Sequence, residues 1–308
     1  MTADRPTAAD IDEFKQVRNN IVTSTEKRQR FRALLTGPNC VHPADVFDPL
    51  SARMAEDIGF ECGMFAGSVA SMVVLGAPDI VLITLTEFAD QVRRICRATT
   101  LPLMCDADHG YGNALNVKRT VEELETAGVS AITIEDTLLP APHRDSAGKG
   151  LLSIPEGVGK MHAARAGRRN PNLVIAGRTS ALALSTVEDT IARMKAYEAA
   201  GVDVIFLAGA KTRAQVDAVA DAIKIPLLLG GVTGELVDKD YLASRGVRIC
   251  LLGQNAYLAS LQAINETYRA LRGGAKPSQL ANLAPNDLVK RITRAADYER
   301  DAKAFLGT

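Results

Sequence analysis

The chain has 308 residues, 47% hydrophobic and 23% charged, with 36 basic and 36 acidic side chains. Zero formal net charge and the lack of any lysine/arginine run argue against nucleic acid or an anionic membrane as partner. The length admits one large unit or two small domains, because α/β barrels often run past about 200 residues as one unit.

In chain order, Met1–Asp12 is polar and has no apolar signal region. Glu26–Thr36 then reads as a basic amphipathic helix, closing a helical lead-in over residues 1–37. After it, short apolar strand-like runs alternate with helical stretches of roughly a dozen residues. The strands are expected at Cys40–Asp48, Cys62–Ser68, Leu101–Asp108, Ala131–Thr137, Leu173–Ser180, Val204–Ala210, Pro226–Val232 and Arg248–Gln254. Helical periodicity marks Thr120–Ala127, Val187–Ala200 and Arg213–Ile223, and Gly59, Gly128, Gly201 and Gly246 stand where helices end. Glycine suits the left-handed residue that closes a helix.

Near-continuously apolar strands separated by helices imply a parallel sheet covered on its outer face. Eight such units favour a closed (β/α)8 TIM barrel over an open doubly wound sheet, and no GxGxxG follows the first strand. The chain is expected to be a single barrel domain over residues 1–308. A charged helical extension over residues 275–308 would pack back on the barrel or reach across to another subunit. No apolar run approaches the ~20 residues needed to span a bilayer. The five cysteines, Cys40, Cys62, Cys96, Cys105 and Cys250, form no CxxC pair and read as buried free thiols. A soluble, cytoplasmic protein in a reducing compartment is the expectation.

Reactive groups of an α/β barrel sit at the C-terminal ends of its strands. The third strand ends in Asp106-Ala107-Asp108-His109-Gly110-Tyr111-Gly112-Asn113, and the fourth in Ile134-Glu135-Asp136-Thr137. Asp106 and Asp108, two apart, should point the same way along a strand, and neighbouring strands lie about 5 Å apart. Asp106, Asp108 and Glu135 can therefore converge. Clustered carboxylates repel unless a cation sits among them, and oxygen ligands with room for water suit Mg2+, with Mn2+ as an alternative. The competing assignment makes these acids helix caps or salt-bridge partners.

The second strand ends in Phe65-Ala66-Gly67-Ser68, where small residues let a ligand approach the backbone and Ser68 offers a hydroxyl. The fifth ends in Gly177-Arg178-Thr179-Ser180. An arginine leaving an apolar strand must meet an internal carboxylate or a ligand carboxylate. His42, His109, His143 and His162 show no metal-ligand spacing; His109 alone follows the aspartates closely. Gly230-Gly231 and Gly253-Gln254-Asn255 occupy the seventh and eighth strand ends, where a phosphate site or simply a tight turn is expected.

The Asp106–Asn113 run resembles a marker of the phosphoenolpyruvate mutase/isocitrate lyase superfamily. The likeness extends to Val46–Arg53, Gly67–Ala70, Leu75–Asp79, Thr133–Asp136 and Ile175–Thr179, and covers roughly residues 30 to 270. It is strongest toward the oxaloacetate decarboxylase branch, through Phe47–Arg53, Gly59–Gly63, Ala107–Val117, Glu135–Pro140 and Glu156–Lys160. The resemblance implies that Asp106 is the main Mg2+ contact, with Asp79, Asp108 and Glu135 holding the ion largely through waters. It also implies that Ser68 and Arg178 bind a substrate carboxylate as catalytic residues. Superfamily members usually form tetramers built from dimers that exchange a C-terminal helix, which the segment beyond Gly274 fits.

Two departures carry information. The lyase branches have a lysine-[lysine/arginine]-cysteine-glycine-histidine loop, whereas residues 140 to 150 here contain no cysteine. Isocitrate or methylisocitrate cleavage by that route is not expected. At the eighth strand end Gln254, assigned to substrate binding, stands in place of the branch's histidine, and Gly230-Gly231-Val232-Thr233 lacks its tyrosine. The expected reaction is Mg2+-dependent decarboxylation of oxaloacetate to pyruvate and CO2 through an enolate. The alternatives are another carbon–carbon lyase on a substituted malate, carbon–phosphorus chemistry on phosphonopyruvate, or a non-catalytic scaffold.

Overall fold

Eight short strands hydrogen-bond in parallel and in chain order: β1 (Ala44–Asp45), β2 (Gly63–Phe65), β3 (Leu103–Asp106), β4 (Ala131–Glu135), β5 (Val174–Thr179), β6 (Val204–Ala208), β7 (Leu227–Gly230) and β8 (Val247–Cys250). The computed structural model describes residues 22–140 and 150–307. The expected lead-in before Val22, His143 and most of the segment 140–150 lie outside them. Val41, just ahead of β1, closes the ring. Its N–H donates to the Arg248 carbonyl and its carbonyl accepts from the Cys250 N–H, both at 2.9 Å. This is the TIM-barrel architecture expected from eight alternating units.

All eight strands are shorter than the apolar runs that announced them. Backbone pairing covers only part of each run, while flanking residues such as Ala107 and Val232 are buried outside the ladder. Ser68 therefore belongs to the short helix Gly67–Ala70 rather than to a strand. Asp108 does not continue β3 either; it enters the mouth through a turn, with φ 48°.

Side-chain alternation along the strands sorts the interior into two layers. Met64, Met104, Ala131, Val174, Ala176, Val204, Phe206, Leu228 and Ile249 fill the barrel. Residues between them, such as Phe65, Cys105, Ile132, Ile175 and Ile205, pack outward against the helices. The same alternation aims Asp106, Thr133, Glu135 and Arg178 inward, one step above the apolar filling. All five cysteines are buried and unpaired, as their apolar settings implied.

The opposite end of the barrel is stoppered by the helix Ser24–Thr36, the basic amphipathic segment of the sequence. Its Phe31 and Leu35 join the barrel filling. Of its cations Arg30 faces solvent, whereas Lys27 and Arg28 are buried and Arg32 is half-buried. Lys27 donates to the carbonyls of Cys96 and Thr99, and Arg28 to those of Val129 and Glu125. Arg32 reaches Asn172, Leu173 and Asp203. The helix-closing glycines take left-handed φ values: 97° at Gly59, 106° at Gly128, 83° at Gly201 and 77° at Gly246.

Beyond the barrel, the helix Asn255–Arg272 contributes only Tyr257 to the buried set. The helix Asn286–Thr293 returns to the chain's own barrel. Ile292 is buried there, Arg53 donates to its carbonyl at 3.1 Å, and Arg294 pairs with Asp57 and Glu56. No helix among the described residues is long and apolar enough to cross a membrane.

Candidate active site

The strand ends enclose a cavity of about 390 Å³ at the C-terminal mouth. Ser68, Asp79, Asp106, Asp108, Glu135, Arg178 and Gln254, far apart in sequence, all line it. They come from the ends of β3, β4 and β5, the turns after β3 and β8, and the segment between β2 and the helix Leu85–Ala98. Asp79 is exposed at the rim, whereas Asp106, Asp108 and Glu135 are buried.

Arg178 occupies the centre of the acidic group. Its Nη1 pairs with Asp106, and its Nε lies 3.0 Å from Glu135 Oε2, the residue beside it in register on β4. Below, the guanidinium rests over the Phe206 ring, 5.1 Å from the centroid. Such a stack favours a cation whose other faces are desolvated. Gly230 makes room for it: a Cβ there would come within 2.6 Å of the Phe206 ring. That is a packing reason for a glycine whose sequence context had suggested a phosphate loop or a turn. Burial opposes the Arg178 charge, but Asp106 and Glu135 more than offset it and raise its pKa.

Asp106 is held on both of its carboxylate oxygens. Its Oδ1 accepts from Thr133 Oγ1 at 3.0 Å and from the Asp108 N–H at 3.2 Å, while its Oδ2 faces Arg178. Asp108 is held less completely. Burial, and then the charges of Asp106, Glu135 and Asp79, push its carboxyl up to about 8. Gly67 permits the close approach of its carboxylate, since a Cβ at that position would lie 2.7 to 3.0 Å from the carboxyl atoms. Across the mouth, the Gln254 side-chain amide donates to Ser68 Oγ, linking the turn after β8 to the short helix after β2.

Among the described residues, no three histidine, cysteine or acidic side chains are arranged as a closed ligand set. Arg178 stands between Asp106 and Glu135, where the strand-end argument had the acids meeting one another. The donor chemistry nevertheless suits a hard divalent cation. Five carboxylates, Asp45 among them, and one guanidinium line a single cavity, and burial together with the neighbouring negative charges drives the Asp108 carboxyl toward protonation. Asp106, Asp108, Glu135 and Asp79 are the side chains that would hold the ion.

Sequence reasoning passed over several lining or supporting residues. Thr133 and Phe206 were legible only as further inward positions of β4 and β6. Asp45 also lines the cavity and accepts from the Tyr257 N–H at 3.2 Å. His109 lines no part of it. Its ring is buried and kept neutral, with a pKa lowered to about 4 by burial and by Lys160. His42 donates from its Nδ1–H to the Cys250 carbonyl, 2.8 Å away, and His162 is exposed. No cysteine lines the cavity.

The family model for phosphoenolpyruvate phosphomutase matches residues 31–272. An oxaloacetate decarboxylase of Bradyrhizobium diazoefficiens is 53% identical over 281 residues, covering 91% of this chain and 97% of its own. One from Rhodopseudomonas palustris strain BisB18 is 52% identical over 286 residues, covering 93% and 99%. Among solved structures, phosphoenolpyruvate phosphomutase from Streptomyces platensis superposes with a TM-score of 0.81 at 27% identity, over 91% of this chain and 99% of that one. A phosphonopyruvate hydrolase complex with oxalate and Mg2+ gives a TM-score of 0.79 at 28% identity, over 92% and 99%.

Proposed function

The chain belongs to the phosphoenolpyruvate phosphomutase family, and on that premise we propose that it is a lyase that converts oxaloacetate to pyruvate and CO2. The observation that carries this reading is the relatives' identity of just over half across nearly their whole length, bearing one name. The cavity agrees with it. Loss of CO2 needs no group to attack the carbon–carbon bond and no thiol to move a proton, and no cysteine lines the cavity.

Arg178 offers a planar fork of donors, and Ser68 a hydroxyl, to the carboxylate beside the substrate ketone. Together they orient the bond to be broken. As CO2 leaves, negative charge moves from the far carboxylate to the ketone oxygen, and the enolate carbon then takes a proton from water to give pyruvate. Met64, Phe206 and Leu251 give the cavity an apolar part, which strengthens the fixed charges of Arg178 and the acids around it. A Mg2+ ion bound by Asp106, Asp108, Glu135 and Asp79 would supply Lewis-acid stabilisation of that developing charge. Gln254, tied to Ser68 and lining the same cavity, helps to set which dicarboxylate fits.

Purified protein with Mg2+ is expected to release pyruvate from oxaloacetate well above the rate of Mg2+ alone, and a chelator is expected to abolish the excess. A release rate equal to the metal-only rate overturns the reading. The same pyruvate assay on substituted malates and phosphonopyruvate identifies another lyase or carbon–phosphorus activity. We also propose that the protein is a homo-oligomer. The helix Asn255–Arg272 leaves Leu258, Leu261, Ile264, Tyr268 and Leu271 exposed, 40% to 69% accessible, a face that a second copy would cover.

A further inference from the structure

The turn that carries the acids is held in an unusual backbone conformation. φ is positive at Asp108 (48°), Gly110 (78°), Tyr111 (60°) and Gly112 (147°). Two of these residues have side chains, for which the left-handed region is unfavourable, so the surrounding structure must impose it. Three successive carbonyls of the turn are fastened. Asp108 accepts from the Glu135 N–H at 2.8 Å, His109 from Lys160 Nζ at 2.8 Å, and Gly110 from Thr120 Oγ1 at 3.0 Å.

Of these donors only Lys160 is charged. It lies on the helix Ile154–Gly167 and is 3% exposed. A buried ammonium is costly, and a neutral donor would satisfy one carbonyl at lower cost. What distinguishes this position is its charge environment. Glu135 and Asp136 at the end of β4, and Glu156 one turn earlier on the same helix, all act on the ammonium. Lys160 thus stands directly behind the acidic wall of the cavity without lining it.

We propose that Lys160 is a positioning residue: its buried ammonium clamps the turn 106–112 through the His109 carbonyl, keeps Asp108 beside Asp106, and so sets how tightly the site holds a divalent cation. The inference rests on the reading that these carboxylates bind such an ion. Two readouts keep it separable from that reading.

The first is Mn2+ affinity, measured from free-ion resonance intensity. The second is amide exchange over residues 107–113, followed by mass spectrometry without metal. Lys160→Met is expected to raise the Mn2+ Kd at least tenfold and to speed exchange across the turn, while Lys160→Arg stays within threefold of the parent. A Kd and exchange rate for Lys160→Met within twofold of the parent overturn the proposal. So does a lowered melting temperature with Kd unchanged, which would mark a purely structural lysine. Should Lys160→Met not fold, Lys160→Gln, which keeps a donor and removes the charge, serves instead. Its Kd is expected to rise at least fivefold, and an unchanged Kd again overturns the clamp. A parent protein that fails to bind Mn2+ sinks the metal reading itself, and the exchange measurement then still decides whether Lys160 holds the turn.

Discussion

Arg178 lies under opposing demands. It neutralises Asp106 and Glu135 in the chain as folded, and it must also present N–H groups to a substrate carboxylate. A guanidinium can do both because its five donors diverge from one rigid plane. An ammonium would keep the charge and lose the fork. Arg178→Lys is therefore expected to lower kcat/KM about 100-fold, in the range seen when one charge-stabilising donor is lost. The melting temperature should change little; steady-state kinetics beside calorimetry checks it, and activity within threefold of the parent would contradict the role. Asp108 supplies a pH signature. Its folded carboxyl titrates at about 8, against an ordinary value near ~4 in the unfolded chain. The folded form binds the extra proton, so stability without metal falls as pH rises from that lower value toward the upper one. A divalent cation favours the ionised form. Mg2+ should consequently raise the melting temperature more at pH 8 than at pH 6, and Asp108→Asn should erase the difference; equal shifts at both pH values would refute this.

Among the elements, the helix Ser24–Thr36 shows how a sequence pattern can be correct in type and incomplete in meaning. The segment reads as a basic amphipathic helix, and two of its cations, Lys27 and Arg28, are buried against backbone carbonyls at the floor of the barrel. Those carbonyls end the helix Leu85–Ala98 and precede β4, where cations complement unsatisfied oxygens. Phe31 is fully buried in the barrel filling, on the side away from the cavity. Phe31→Ala should cost about 3–5 kcal/mol of stability by opening a void. Denaturant unfolding measures that loss, and kcat per folded molecule should stay near the parent value. A comparable fall in kcat would show that the floor and the mouth are coupled.

For the molecule entire, the apolar stripe of the helix Asn255–Arg272 is the feature that one chain leaves unexplained. Leu258, Leu261, Ile264 and Tyr268 recur at helical spacing on a face the barrel does not cover. The later helix Asn286–Thr293 does return to its own barrel, fastened by Arg294 to Asp57 and Glu56. Self-association should therefore depend on the first of these helices more than on the second. Light scattering on a sizing column is expected to give an oligomer for the parent and a smaller species for Leu261→Glu with Ile264→Glu. A monomeric parent would remove the basis for the oligomer.

The number of strands, their parallel order and the identity of the acids at their ends were readable from residues alone. Alternation, glycine stops and the rule that barrels carry reactive groups at strand ends are all local or topological regularities. Asp106, Glu135 and Arg178 emerge from apolar runs, and a charge in that setting announces itself. Other features had no local signature. Arg178 meeting Asp106 and Glu135 depends on the register between β3, β4 and β5. The stack on Phe206, the room left by Gly230 and Gly67, and the grip of Lys160 on the His109 carbonyl join residues tens of positions apart. Such contacts are selected by packing in three dimensions, where distance along the chain no longer measures proximity.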